Sequence, residues 1–389
     1  MRSRALSVVA VLALAGCREQ TVAPALQAPA PVPAPQATPQ RTDLACEAPP
    51  DAASARVKLR AASGQLRIGT LAGLKDADDD NLAVLKKLVA ELKRRGADVL
   101  LADGDLGDNP DEQETLLGVL TDSGLPVLAV AGNREVRSDL DAAEAELRKK
   151  GGKIVDLSHE RIVELGDATV VGLPGAFERR QLHADGACVY GQKDLDALAE
   201  ALNHVAQPAI LVAALPPRGQ DAKGLDVSEG QNVGDPRLVA LLRRAPFGVF
   251  AQVWESGGRA IDSAGKPVAQ GAEVEQLYLN PGAADRTPWP MADGSTASGQ
   301  AALLTIRGKK ASWEKIIPSE EQAAPATGGA RRRGALEEEQ AAPATGGARR
   351  RGALEEEQAA PATGGARRRG ALEEEQAAPA TGGAVEQSR

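Results

Sequence analysis

Between Val57 and Pro318 the chain alternates two kinds of hydrophobic run. "LRIGTL", "DVLLADGD" and "PVLAVAG" are short aliphatic stretches that stop at glycine or acidic residues, the pattern of strands buried on both faces. Between them, "DDDNLAVLKKLVAELKRRG" repeats at helical spacing. It puts Leu82, Leu85, Leu88, Val89 and Leu92 on one face, with Asp80 or Asn81 as cap and Gly96 as stop. "NPDEQETLLGVLTDSG" opens with an asparagine cap and Pro110 at the first helical position. "SDLDAAEAELRKKGG" predicts a third helix from about Ser138. Strands follow at "KIVDL", "RIVEL", "ATVVGL" and "PAILVAAL", with helices near Leu195–Val205 and Pro236–Arg243. Late strands are expected in "FGVFAQV", "VEQLYLN", "AALLTIRG" and "ASWEKII". Strand and helix alternate first and strands dominate later, so the reading is an α/β domain over residues 57–319, its sheets covered by helices.

The flanks lack that pattern. Residues 1–16 combine Arg2 and Arg4 with an apolar run too short to span a bilayer, and end in "LAGC". This resembles a bacterial lipoprotein signal, which implies cleavage before Cys17 and acylation of its thiol; a secretory signal with a chance cysteine is the alternative. Residues 17–56 are rich in proline and alanine and read as an extended tether of about 3 Å per residue. Arg18 is not the aspartate that retains enteric lipoproteins at the inner membrane, so the expected place is the cell envelope, anchored in the outer membrane and facing the periplasm. In residues 320–389, "ARRRGALEEEQAAPATGG" recurs with an 18-residue period. Each copy has a single leucine, places arginine before glutamate and breaks at Pro-Ala-Thr-Gly-Gly, so the tail reads as disordered polyampholyte.

Composition narrows the chemistry. Aromatic residues make up 2% of the chain, which leaves the core to Leu, Val, Ala and Ile. A net charge of −8 with no large basic face argues against nucleic acid. The three histidines, His159, His183 and His204, are few for a metalloenzyme and read as surface or helix residues. Cys46 and Cys188 either pair in an oxidising compartment or remain separate thiols. "DADDD" at Asp76–Asp80 reads as helix N-terminal charge rather than a calcium loop.

The loops after the strands spell "GDLGDN", "GNRE", "LPPRG" and "YLNPGAAD", in an order that resembles the calcineurin-like metallophosphoesterases over about Leu66–Ile317. The resemblance implies a four-layer sandwich, two mixed β-sheets packed face to face and flanked by helices. It also implies two metal ions bridged by a carboxylate. Asp105 would be the bridge, with Asp108 and Asn133 beside it. The family's other ligand positions hold different residues here. Gly73 and Lys75 stand for the first-strand Asp-x-His, Arg134 for the loop histidine, Ala214 for the histidine before the prolines, and Gln252 and Trp254 for the last pair. Of the direct ligands Asp105 and Asn133 remain, and two oxygen ligands do not hold a dinuclear centre against water. The expectation is therefore a degenerate, non-catalytic domain without a cofactor, acting by binding a phosphate-bearing ligand or an envelope protein. One alternative is a phosphoesterase with a single weakly bound divalent ion at Asp105, Asp108 and Asn133; another is a structural envelope lipoprotein. Lys75 and Arg134 face the same pocket in the family fold. They would either bind an anion or neutralise Asp105 and Asp108.

Overall fold

The computed structural model describes residues 56–59 and 64–318. The lipidation candidate Cys17, the candidate disulfide partner Cys46, the tether and the repeat tail lie outside the described residues.

The described strands and helices run β1 (Arg56–Lys58), β2 (Leu66–Leu71), α1 (Asp79–Arg94), β3 (Val99–Asp103), α2 (Pro110–Thr121), β4 (Val127–Val130), α3 (Arg137–Lys149) and β5 (Ile154–Asp156). Next come β6 (Ile162–Glu164), β7 (Thr169–Leu173), α4 (Gln192–His204), β8 (Ala209–Ala213), β9 (Val227–Ser228), β10 (Gln231–Asn232) and β11 (Phe247–Phe250). The last are β12 (Arg259–Ile261), β13 (Leu277–Asn280), β14 (Trp289–Pro290), β15 (Thr296–Ala297), β16 (Ala301–Arg307) and β17 (Lys310–Ile316).

Two mixed sheets carry the fold, a six-stranded one in the order β17-β16-β2-β3-β4-β5 and a seven-stranded one in the order β1-β6-β7-β8-β11-β13-β12. The two-residue period of the strands divides their side chains between layers. Ile68, Leu101 and Leu128 of the first sheet meet Val170, Val212, Val249 and Leu279 of the second in one buried cluster. Their neighbours Leu71, Leu100 and Val127 turn outward, to Leu85 and Leu92 of α1, Leu116 and Leu120 of α2 and Leu147 of α3. On the far side, Val171 and Leu211 pack on Leu195, Leu198 and Leu202 of α4. The layers are therefore helix, sheet, sheet, helix, and the α/β fold class expected from the sequence is observed.

Local signals are mostly where the pattern put them. Asn109 caps α2, accepting from Glu112 N at 3.0 Å, with Pro110 in its first turn. α1 is capped by Asp78, not by Asp80 or Asn81, because the Asp78 carboxylate accepts from Asn81 N at 2.9 Å. The Asn81 amide instead donates to Leu74 O and Asp76 O, at 2.7 and 2.6 Å, and so ties the loop after β2 to the helix. The helix expected near Pro236–Arg243 is a 3-10 segment, Leu238–Arg243.

Candidate functional site

The parallel strands β2, β3 and β4 of one sheet and β8, β11 and β13 of the other end at a common rim. Backbone hydrogen bonds knit the loops there: Gly73 N to Gly104 O at 3.1 Å, Lys75 N to Asp105 O at 2.9 Å, Ala284 N to Ala72 O at 2.7 Å and Ala251 N to Ala214 O at 3.1 Å. Gly104 and Gly132 pass so closely that a Cβ on Gly132 would stand 3.0 Å from the Gly104 Cα. The rim also holds three non-glycine residues in the left-handed region, Lys75 at φ 57°, Asp105 at 53° and Gln252 at 58°. Such backbone costs of order 1–3 kcal/mol per residue and collects at functional sites. All three are positions where the resemblance places metal ligands.

Glu135, fully buried, holds two of these loops together. Its carboxylate accepts from Leu106 N at 2.5 Å and from Gly132 N at 2.6 Å. Burial, and then the Asp105 charge, push its pKa up to about 8 against these hydrogen bonds. Asp103, also fully buried, has no hydrogen-bond partner for either carboxyl oxygen among the described residues, and burial raises its pKa well above the usual range. The inner rim thus holds acids that stay protonated far above the pH at which an exposed carboxyl ionises.

The ligand positions are filled by other chemistry. The Trp254 indole lies over Gly73, where a Cβ would meet Trp254 Cη2 at 2.8 Å. The aspartate that the resemblance expects at Gly73 has no room beneath that ring. The Lys75 Nζ lies 3.7 Å from the centre of the Trp289 ring and 5.1 Å from that of Trp254. It also pairs with buried Asp285 at 3.6 Å, an ion pair too long for a hydrogen bond. Trp289 Nε1 donates to the other Asp285 oxygen at 3.1 Å. Burial lowers the Lys75 pKa, and the Asp285 and Asp105 charges oppose it. Arg134 Nη1 donates to Asp108 Oδ1 at 2.5 Å. Asp105 is 6% exposed; burial raises its pKa and the charges of Arg134 and Lys75 pull it back.

The Asn133 amide nitrogen donates to Gln181 O at 2.5 Å. His183, read from the sequence as a surface or helix residue and not as a displaced ligand, lies with Nε2 3.8 Å from Asp108 Oδ1, its backbone N donating to Asn133 O at 2.9 Å. Only the topology brings it there, since 48 residues separate Asn133 and Gln181. With an indole over one ligand position, an ammonium at the next and a guanidinium on Asp108, these residues do not fit a dinuclear metal centre. Among the described residues, the histidine, cysteine and carboxylate ligand atoms that do converge are those of Asp141, Asp156 and His159, elsewhere in the fold.

Beside the rim is a cleft of about 700 Å³, lined in part by Asn133, Gln181, Arg180, Arg218, Gln252 and Trp254. The Arg218 guanidinium donates to Asn232 O at 3.2 and 2.9 Å. Cys188, 7% exposed, is disulfide-bonded, and its partner lies outside the described residues.

No family model and no curated protein matches the chain. Solved structures do. A crystal structure that carries no protein name aligns with a TM-score of 0.50 at 15% identity, covering 66% of this chain and 100% of that one. The protein TT1561 of Thermus thermophilus aligns with a TM-score of 0.46 at 17% identity, covering 65% of this chain and 99% of that one. A dimetal phosphatase from Danio rerio aligns with a TM-score of 0.42 at 14% identity, covering 65% and 99%. At these identities the likeness is one of fold.

Proposed function

We propose that this chain is a lipid-anchored envelope protein whose metallophosphoesterase-like domain binds a ligand and does not hydrolyse it. The observation that carries this reading is the Trp254 indole over Gly73 with the Lys75 ammonium beside it, because those side chains take up the room of the first metal and its ligands. Without a metal-bound water there is no nucleophile and no Lewis acid at Asp105. The cleft remains as a binding surface. Its Arg180 and Arg218 make a phosphate-bearing small molecule the class to test first, with an envelope protein as the other partner. Lys75 and Arg134 serve in this reading to neutralise Asp285, Asp105 and Asp108 rather than to hold the ligand. Anchoring rests on Cys17, and the Cys188 disulfide on a pairing with Cys46, both in keeping with an oxidising compartment outside the cytoplasm.

The test is turnover of a generic aryl phosphate ester by the full chain with added Mn²⁺, beside Asp105→Ala. No turnover that depends on Asp105 is expected. Turnover abolished by Asp105→Ala would overturn the binding reading in favour of a phosphoesterase with a reduced metal site. One observation favours that second reading: His183 stands beside Asp108 and supplies an imidazole that the loop sequence lacks. For the anchor, Cys17→Ser is expected to release the chain from membrane fractions, and retention of that variant would exclude acylation as the attachment.

A further inference from the structure

At the outer edge of the six-stranded sheet, a second group of polar side chains meets between α3 and the turn after β5. Asp156 ends β5, and His159 N and Glu160 N donate to its carbonyl at 3.1 and 2.8 Å, which folds the chain back. Ser158 N donates to Asp156 Oδ1 at 2.6 Å. Asp156 Oδ2, on a residue 1% exposed, has no hydrogen-bond partner among the described residues. It points at His159 Nε2, 3.5 Å away. The same nitrogen lies 2.7 Å from Asp141 Oδ1 on α3. One ligand atom from each of the three residues falls within 4.8 Å of the others.

We propose that Asp141, Asp156 and His159 form a site for a borderline transition-metal dication, with Zn²⁺ the ion to test. The donor set is one imidazole nitrogen and two carboxylate oxygens, which suits such an ion and is poor in the oxygens that Ca²⁺ requires. Bonds of about 2.0–2.2 Å at tetrahedral angles put ligand atoms roughly 3.3–3.5 Å apart. The His159–Asp156 separation already has that value. The His159–Asp141 distance is that of a hydrogen bond and opens by less than ~1 Å as the ion replaces the proton. Asp141 has the freedom to move, since its side chain is 45% exposed. A further buried carboxyl, Glu144, on which the Asp156 charge acts, pairs with Arg148 at 2.7 Å through one oxygen and has no hydrogen-bond partner for the other among the described residues. A dication on Asp156 removes the repulsion between the two acids. This moves the single divalent ion weighed from the sequence away from Asp105, Asp108 and Asn133.

One residue opposes the ion. Arg137 Nη2 lies 2.6 Å from His159 Nδ1 and 3.3 Å from Nε2. Arginine only donates, so it contacts the ring as a fixed cation beside the place proposed for the metal. A metal on Nε2 requires the proton on Nδ1, where it would meet the Arg137 N–H. Arg137 therefore has to swing out, and it competes with the metal for the ring.

Calorimetric titration of Zn²⁺ into the full chain tests this. One Zn²⁺ per chain is expected. His159→Ala and Asp141→Asn should each weaken binding by more than the roughly 10–100-fold that a lost outer partner costs. Both positions are half-exposed, so the fold should survive, and an unchanged melting curve without metal checks it. Arg137→Gln should tighten binding several-fold, because an amide oxygen can accept the Nδ1 proton; a damaged fold would not give that gain. Asp108→Asn should leave binding unchanged. Absence of binding at roughly 100 µM Zn²⁺, far above the affinity of a built zinc site, would overturn the proposal. So would binding that survives both His159→Ala and Asp141→Asn, or binding lost in Asp108→Asn.

Discussion

Two clusters of carboxylates, one at the rim above β2, β3 and β4 and one where β5 ends against α3, differ in what faces them. After β2, β3 and β4, the acids meet cations that belong to the protein: Lys75 stands against Asp285 and within electrostatic reach of Asp105, and Arg134 against Asp108. After β5, Asp156 and Asp141 meet an imidazole, which can give up a proton and accept a metal in its place. A buried carboxylate needs a positive partner. A lysine or arginine supplies one permanently and closes the site to a metal. A histidine supplies one conditionally and leaves the site open. The count of acidic residues does not separate the two clusters; the place of the fixed charge does, on a carboxylate itself at the rim (Arg134 on Asp108) and on the imidazole where β5 ends (Arg137 on His159).

The comparison breaks first at Lys75. If its ammonium is the built-in partner of the rim, Lys75→Met leaves Asp285 buried with only the Trp289 N–H, and about 3–5 kcal/mol of stability should be lost. The double variant Lys75→Met/Asp285→Asn should recover more than half of that in urea denaturation. A double variant as unstable as the single one would rule out the pair as the reason for Lys75.

Glu135 comes next. Glu135→Ala strands the Leu106 and Gly132 N–H groups in the rim and should cost about 2–4 kcal/mol. The same residue gives a pH signature. Its folded pKa, about 8, lies above its ordinary value of 4.5, so the folded state keeps a proton that the unfolded chain releases. The stability tied to that proton is fully present below 4.5 and is lost as pH rises to about 8. The urea midpoint should therefore fall between pH 5 and 8, and fall less steeply in Glu135→Ala. A midpoint that rises over this window would contradict the protonated rim.

The smallest effect sharpens the contrast from the other side. Arg134 pairs with an Asp108 that is nearly half in water, so Arg134→Ala should cost less than ~1 kcal/mol. Inorganic phosphate titrated against the chain should respond equally in wild type and variant. Weaker phosphate binding in Arg134→Ala would make that arginine an anion ligand after all.

What the sequence determined by itself is the part of the molecule set by local physics. The buried run "LRIGTL" and the helical stripe from Leu82 to Leu92 predict a covered sheet and its covering helix, because each face must be buried against something. Asn109 and Pro110 start α2 by satisfying or lacking a backbone N–H, a matter of a few adjacent residues. The order of the loop motifs brought Asp105, Asn133, Lys75 and Arg134 to one rim. Only the tertiary structure decided what those residues touch. That an indole lies over Gly73, that Asp285 answers Lys75, and that His183 reaches Asp108 are contacts between distant loops, and no periodicity encodes them. The His159 cluster left one trace in the sequence, a histidine three residues after an aspartate in "DLSH", which points nowhere until α3 brings Asp141 and Arg137 against it. Charge on a loop is legible along a chain; the partner that decides its chemistry arrives from across the fold.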